Sequence, residues 1–225
     1  MCKCEQKEEE KQKERLRYQE DMAAIGRLKQ MSLMDEKLKN VTFANYAVTA
    51  ENQRAYKVAV RYVEKFDDMY ANSQGILFHG PVGTGKSYTA AAIANELMNR
   101  KYPVIMTSFI KLLQRMNGFN PDDEYIEKLN RAKLLVIDDL GAERGTDFAL
   151  EKVYNIVDSR YRSGKPLILT TNLTMAQIKD ETDIRYTRIY DRIVEMCYPL
   201  KMDGLSWRKQ EAASRFQDMK KLLEG

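Results

Sequence analysis

The sequence predicts an α/β fold: a parallel sheet of five short strands with helices on both faces. Three observations predict it. Apolar runs of strand length alternate with longer stretches of helix formers, the pattern of a doubly covered parallel sheet. The first run leads into a glycine-rich turn, Gly80-Pro81-Val82-Gly83-Thr84-Gly85-Lys86-Ser87. The third, Leu134-Leu135-Val136-Ile137-Asp138-Asp139, ends in two acids at what would be its carboxyl end.

The 225 residues can hold one good-sized domain and an appendage. Residues 1–31 are mostly Lys, Glu, Arg and Gln, with a weak apolar stripe of Tyr18, Met22, Ile25 and Leu28 at helical spacing. They read as an exposed helix or a partly disordered arm. Residues 32–53 read as an irregular lead-in anchored by Phe43 and Tyr46, and 54–71 as one amphipathic helix with Val58, Tyr62 and Phe66 on its inner face. Strands follow over 76–79, 103–107, 133–138 and 166–171, with a short fifth near 197–201. Helices are expected over 86–100, 108–116, 123–131, 148–162, 184–195 and 205–220. The expected domains are a charged arm, 1–40, and a nucleotide-binding body, 41–225.

Composition excludes some classes. Charged residues make up 31% of the chain, and no apolar run approaches the ~20 residues of a membrane span. A cytoplasmic protein with no membrane partner is expected. The net charge of +4 permits nucleic-acid contact without demanding it. Cys2, Cys4 and Cys197 form no disulfide framework, and Cys2 with Cys4 supplies only two of the four ligands usual for structural zinc. Cys197 reads as core. His79 reads as a packed residue at a strand end, without a metal role.

The glycine-rich turn fits the pattern G-x-x-x-x-G-K-[ST]. Gly83 and Gly85 permit a backbone that curls amide N–H groups around an anion. Lys86 brings charge to the β- and γ-phosphates, and Ser87 offers a hydroxyl to Mg²⁺. The helix that follows, opening with Tyr88, aims its N-terminus at the same anion. A chance match is the plain alternative, but strand, loop and helix stand in the required order. Asp138, at the ligand crevice of an open α/β sheet, is a second candidate for Mg²⁺. Asp139 can orient or polarise a water. Asn172, after the apolar run Leu167-Ile168-Leu169-Thr170-Thr171, would lie beside the γ-phosphate. Arg185, Arg188, Arg192 and Arg208 supply basic side chains. Of these, Arg185 reads as a surface residue. Arg208 could sense nucleotide within its own subunit.

These motifs, with Ile137-Asp138-Asp139-Leu140-Gly141-Ala142-Glu143, Thr170-Thr171-Asn172-Leu173, Asp191-Arg192 and Ser206-Trp207-Arg208, resemble the AAA+ ATPases of the DnaC/DnaI helicase-loader and IstB group, over about residues 40–212. The resemblance implies a P-loop NTPase of AAA+ type with a short C-terminal helical lid. It implies ATP/ADP and Mg²⁺ as ligands, adenine over guanine, and an ATP-dependent homo-oligomer in which Arg192 completes a neighbour's site. Residues Gly80, Pro81, Val82, Gly83, Thr84, Gly85, Lys86, Ser87 and Tyr88 would then hold nucleotide together with Arg208. Lys86, Asp138, Asp139, Asn172 and Arg192 would carry catalysis. Many AAA+ members have Glu where this chain has Asp139; the shorter side chain leads us to expect slow hydrolysis.

The resemblance also implies partners: a replicative hexameric helicase and single-stranded DNA, the latter through Ser108, Lys111 and Arg115. An ordinary solvated helix face is the other reading of those three. Related loaders often carry an N-terminal cysteine cluster, and Cys2-Lys3-Cys4 looks like the end of one, so a missing partner-binding region is expected. Three other roles remain open at this point: an IstB-like transposition ATPase acting with a transposase on duplex DNA, a small-molecule kinase, and a nucleotide-gated DNA-binding module with negligible turnover.

Overall fold

The computed structural model describes residues 32–116, 122–141 and 146–224, with scattered positions between 8 and 26. Cys2, Cys4, Ile25, Leu28, Ala142 and Glu143, which carried sequence expectations, lie outside the described residues.

Five strands form one parallel sheet: β1 (Gly75–His79), β2 (Val104–Ser108), β3 (Leu134–Leu140), β4 (Leu167–Thr171) and β5 (Cys197–Lys201). Their order across the sheet is β2-β3-β4-β1-β5. The apolar runs are continuous because both faces are covered. Ile76, Phe78, Val104, Met106, Leu134, Val136 and Ile168 point into one core. Leu77, Ile105, Leu135, Ile137, Leu167 and Leu169, the alternate positions, point into the other. The first core is closed by α1 (Gln53–Glu64), α2 (Phe66–Ala71) and α3 (Lys86–Asn99). Alternating small residues let α3 sit close to the sheet: Ala90, Ala91, Ala92 and Ala94 are all fully buried. The second core is closed by α4 (Phe109–Met116), α5 (Asp122–Asn130), α6 (Asp147–Arg162), the short α7 (Met175–Lys179) and α8 (Ile184–Met196). A last helix, α9 (Trp207–Glu224), follows β5.

Three expectations about the helices need correction. The single helix over 54–71 is broken at Lys65, whose backbone leaves the helical region at φ −106°, ψ 24°. The break turns Phe66 into the core, where its ring meets Tyr102 edge-on at 4.9 Å. Helix α7 was not foreseen. It is closed by a capping box in which Thr174 and Gln177 satisfy each other's backbone N–H groups. The last helix also starts at Trp207 rather than 205 and runs to Glu224.

Residues 32–40, grouped with the arm in the sequence, lie on the body. Ser32 Oγ donates to the Met106 carbonyl at 2.7 Å and accepts from the Met106 amide at 2.9 Å, closing part of the β2 edge. Asn95, on α3, donates to the carbonyls of both Leu38 and Val41. Phe43 and Tyr46 pack on Tyr56, and Tyr46 also meets Tyr88 at 5.3 Å. The described positions between 8 and 26 are helical, with Tyr18 and Met22 exposed.

Candidate functional site

The strand order decides where the site lies. β4 is inserted between β1 and β3, so the turn after β1, the acids ending β3 and the polar end of β4 share the carboxyl edge of three adjacent strands. The turn after β1 bends sharply: Gly83 and Gly85 have φ of 85° and 92°, values that a side chain resists. Lys86, the first residue of α3, is buried and donates to the carbonyls of Gly80 at 2.8 Å and Pro81 at 2.6 Å. Thr84 Oγ1 also donates to Pro81. Burial lowers the Lys86 pKa, while Asp139 and Asp138 oppose that shift. Ser87 stands beside it, half-buried at the helix N-terminus. Tyr88 turns toward the lead-in and donates to the Asn45 carbonyl.

Asp138 and Asp139 point to different partners because the chain between them is strained. Asp139 has φ 65°, and the β3–β4 register shifts between Ile137 and Leu140. Thr170 joins the two acids. Its hydroxyl accepts from the Asp139 amide at 2.9 Å and donates to Asp138 Oδ1 at 2.5 Å. Asn172 Nδ2 donates to Asp139 Oδ1 at 3.0 Å. Thr171 Oγ1 donates to the Leu140 carbonyl and accepts from the Leu173 amide, which fixes the turn carrying Asn172. Burial raises the Asp139 pKa and the neighbouring Asp138 raises it further; Lys86 and Arg208 pull it back. A carboxylate with a raised pKa, held by an amide side chain, is suited to accept a proton.

Sequence reasoning quoted Thr170 within a motif but gave it no part. The one signal in the sequence was an apolar run ending in Thr170-Thr171; only the pairing of β4 with β3 brings those hydroxyls to the level of the acids. The bulge in β3 that aims Asp139 at Thr170 had no sequence signal.

The C-terminal helix begins on the phosphate loop. The Trp207 amide donates to the Gly83 carbonyl at 3.0 Å, and a Cβ built on Gly83 would lie 2.1 Å from Ser206 Oγ. Arg208 is exposed at the start of α9, close enough to bear on the titration of both Lys86 and Asp139. His79 is buried beneath the loop, with its pKa lowered by burial and by Lys201. Cys197 is fully enclosed, its thiol pKa pushed up by burial. Among the described residues there is no cluster of three or more His, Cys, Asp or Glu side chains able to hold a metal ion.

Residues 7–215 match the family model described as IstB-like ATP binding protein. The chain belongs to that family. It is 32% identical over 161 residues to the replicative helicase loader DnaC of Escherichia coli strain K12, covering 69% of this chain and 63% of that one. It is 24% identical over 195 residues to the replicative helicase loader DnaI of Bacillus subtilis strain 168, covering 78% and 62%. A crystal structure of DnaI shares the fold, with a TM-score of 0.65, 24% identity, and 76% of this chain and 96% of that chain covered. The chain thus spans less than two thirds of the length of these curated relatives. It is a DnaC/DnaI/IstB-like protein of AAA+ fold, from a family of ATP-binding proteins.

In this IstB-like chain the remaining candidates are held by other partners or exposed. Arg192 stands on α8. It is turned into its own subunit, with Nη2 2.6 Å from Asp158 and its guanidinium over the Tyr154 ring. Arg185 is held by Asp147 and Asp183. Arg188 is exposed one turn before Arg192. Ser108 pairs in register with Asp138, so α4 starts at the edge of the site. Lys111 Nζ donates to the Leu33 carbonyl at 2.7 Å and pairs with Asp35. Arg115 is exposed further along α4. No helix among the described residues is long and apolar enough to cross a membrane.

Proposed function

We propose that this chain is a Mg²⁺-dependent ATPase that works as a replication helicase loader in the cytoplasm. The observation that carries the reading is the meeting of Lys86, Asp138, Asp139 and Asn172 at one edge of the sheet. The 32% identity to a protein named as a replicative helicase loader gives it a role. ATP would lie along residues 80–88, with the phosphates on the loop amides and the N-terminus of α3. On binding, Lys86 would exchange the carbonyls of Gly80 and Pro81 for phosphate oxygens. Ser87 and Asp138 offer hard oxygen donors of the kind Mg²⁺ takes, and would hold it. Held there, Mg²⁺ would supply charge neutralisation at the phosphates. Asp139 orients a water in line with the γ-phosphate and accepts its proton, Asn172 fixes that carboxylate, and Arg208 senses nucleotide from α9. Arg192, turned toward Asp158 and Tyr154, would act on the nucleotide of a neighbouring copy in an ATP-dependent homo-oligomer. Ser108, Lys111 and Arg115 would face single-stranded DNA held by that assembly. The arm that opens the chain would contribute to the hexameric helicase contact, and the ATPase body would take in residues 32–40 together with 41–225.

A second reading is favoured by the family match itself: an IstB-like ATPase acting with a transposase on duplex DNA. ATP hydrolysis measured with single-stranded DNA, duplex DNA and the cognate replicative helicase separates the two. Stimulation by single strands together with helicase loading is expected. Stimulation by duplex alone would move the assignment to transposition.

A further inference from the structure

Arg192 sits in a pocket built by its own chain, and each wall of that pocket is on α6 or α8. Its Nη1 donates to the Arg188 carbonyl at 3.0 Å and its Nη2 to the Tyr154 hydroxyl at 3.2 Å. The guanidinium carbon is 5.0 Å from the centre of the Tyr154 ring and 5.8 Å from that of Tyr161. Asp158, itself 14% exposed, lies 2.6 Å from Nη2 and is gripped on its other oxygen by Arg162 at 2.8 Å. The side chain of Arg192 is left 23% exposed.

The pocket fits the guanidinium incompletely. Its Nε–H is buried with no acceptor among the described residues, and the approach to Asp158 is an ion pair whose N–H is not aligned on the carboxylate. An arginine presents five donors in a fixed fork, and phosphate oxygens match that fork better than this pocket does. The same donors cannot serve both partners, so engagement of a neighbour's γ-phosphate requires withdrawal from Asp158 and Tyr154. Leaving is feasible because the pocket never satisfies the whole fork.

We propose that Asp158 and Tyr154 form a latch that sheathes Arg192 within the isolated subunit and is exchanged for a neighbour's nucleotide on assembly. The latch rests on the reading of Arg192 as a trans-acting residue. It makes hydrolysis depend on assembly twice: a neighbour must arrive, and it must outcompete Asp158. Asp158 is a regulatory residue here, since it touches neither nucleotide nor water.

The test is steady-state ATP hydrolysis against protein concentration. Asp158→Asn removes the charge and keeps the shape. It should lower the concentration of half-maximal activity severalfold, with the maximal rate unchanged or higher. Tyr154→Phe keeps the ring and removes one acceptor, so it should shift the curve less, in the same direction. It also serves if Asp158→Asn does not fold, judged by circular dichroism. Arg162→Ala leaves Asp158 wholly to Arg192 and should not shift the curve downward. An unchanged or upward-shifted curve for both Asp158→Asn and Tyr154→Phe would overturn the latch, as would an Arg162→Ala shift equal to that of Asp158→Asn. Arg192→Ala separates the two ideas. If it leaves hydrolysis intact, the trans-acting reading itself falls; if it abolishes hydrolysis while the latch variants do nothing, only the latch falls.

Discussion

Thr170 holds the acids of β3 in two roles with one hydroxyl, since the group that accepts from the Asp139 amide also donates to Asp138. Thr170→Val keeps the branched shape in the sheet and removes both bonds. The bond to the Asp138 carboxylate is charge-assisted and worth roughly 1.5–3 kcal/mol, the neutral one from the Asp139 amide about 1 kcal/mol, so hydrolysis should fall tenfold or more. Nucleotide affinity should hold, because the loop after β1 is untouched; an equal loss of binding, by calorimetry, would count against this division of labour. Asp139 also sets a pH dependence. Burial and Asp138 raise its pKa above 3.8 in the folded chain. The ionised form is therefore disfavoured by folding, and Asp139's contribution to stability falls as pH rises from 3.8 through the raised value. Hydrolysis needs the ionised form, so the acid limb of kcat/KM, which reports the free protein, should lie above 3.8. Arg208→Ala removes a cation that holds this pKa down, and should move the limb to higher pH.

Elements were legible in the sequence where burial is complete and periodic. All five strands lie within a residue or two of their expected ranges; four do so because a strand covered on both faces needs an apolar run, whereas β5, at the sheet edge, leaves Tyr198, Pro199 and Lys201 exposed. The phosphate loop and the acids were legible for a related reason: glycine at positive φ and a lysine opening a helix are residue-specific demands. What stayed hidden depends on contacts between distant segments. The break at Lys65 follows from where Phe66 must go, and the bulge in β3 from where Thr170 waits. Arg160 is a third case. A fully buried arginine reads in sequence as surface charge, yet it donates to the carbonyls of Ala132, Lys133 and Pro166 and ties α6 to the starts of β3 and β4. Arg160→Leu would strand those carbonyls, and a loss of about 3–5 kcal/mol in denaturant unfolding is expected. The motif Ser206-Trp207-Arg208 pointed to a C-terminal helix near the nucleotide, but the backbone bond that joins it to the loop was not legible. Because the Trp207 amide is bonded to Gly83, a loop that closes on phosphate must carry Trp207 with it. Trp207 is the chain's one tryptophan, so Mg²⁺ and ATP should change its emission, and Lys86→Ala should abolish the response.

Across the whole molecule, the lead-in, the sheet edge and α4 behave as one joined unit. Ser32 is stapled to β2, Lys111 of α4 reaches back to Leu33 and Asp35, and β2 ends at Ser108 beside Asp138. The candidate DNA helix is therefore tied through its first turn both to the nucleotide site and to the chain entering from the arm. Asp35 is 70% exposed and Lys111 34%, so water screens the pair and a competing phosphate can displace it. Two substitutions should then act in opposite directions on single-stranded DNA. Lys111→Ala removes a phosphate contact: affinity should fall at low salt, and the slope of log affinity against log salt should flatten by roughly 0.7, the value for one contact on a single strand. Asp35→Asn releases Lys111 from its competitor and should raise affinity without lowering the slope. ATP affinity should be unchanged in both, since neither residue touches the phosphate loop. Binding curves at three salt concentrations decide it. If Asp35→Asn weakens DNA binding, the pair orders α4 for its ligand; if neither variant moves the curve, α4 is a solvated face and the DNA path lies elsewhere on the assembly.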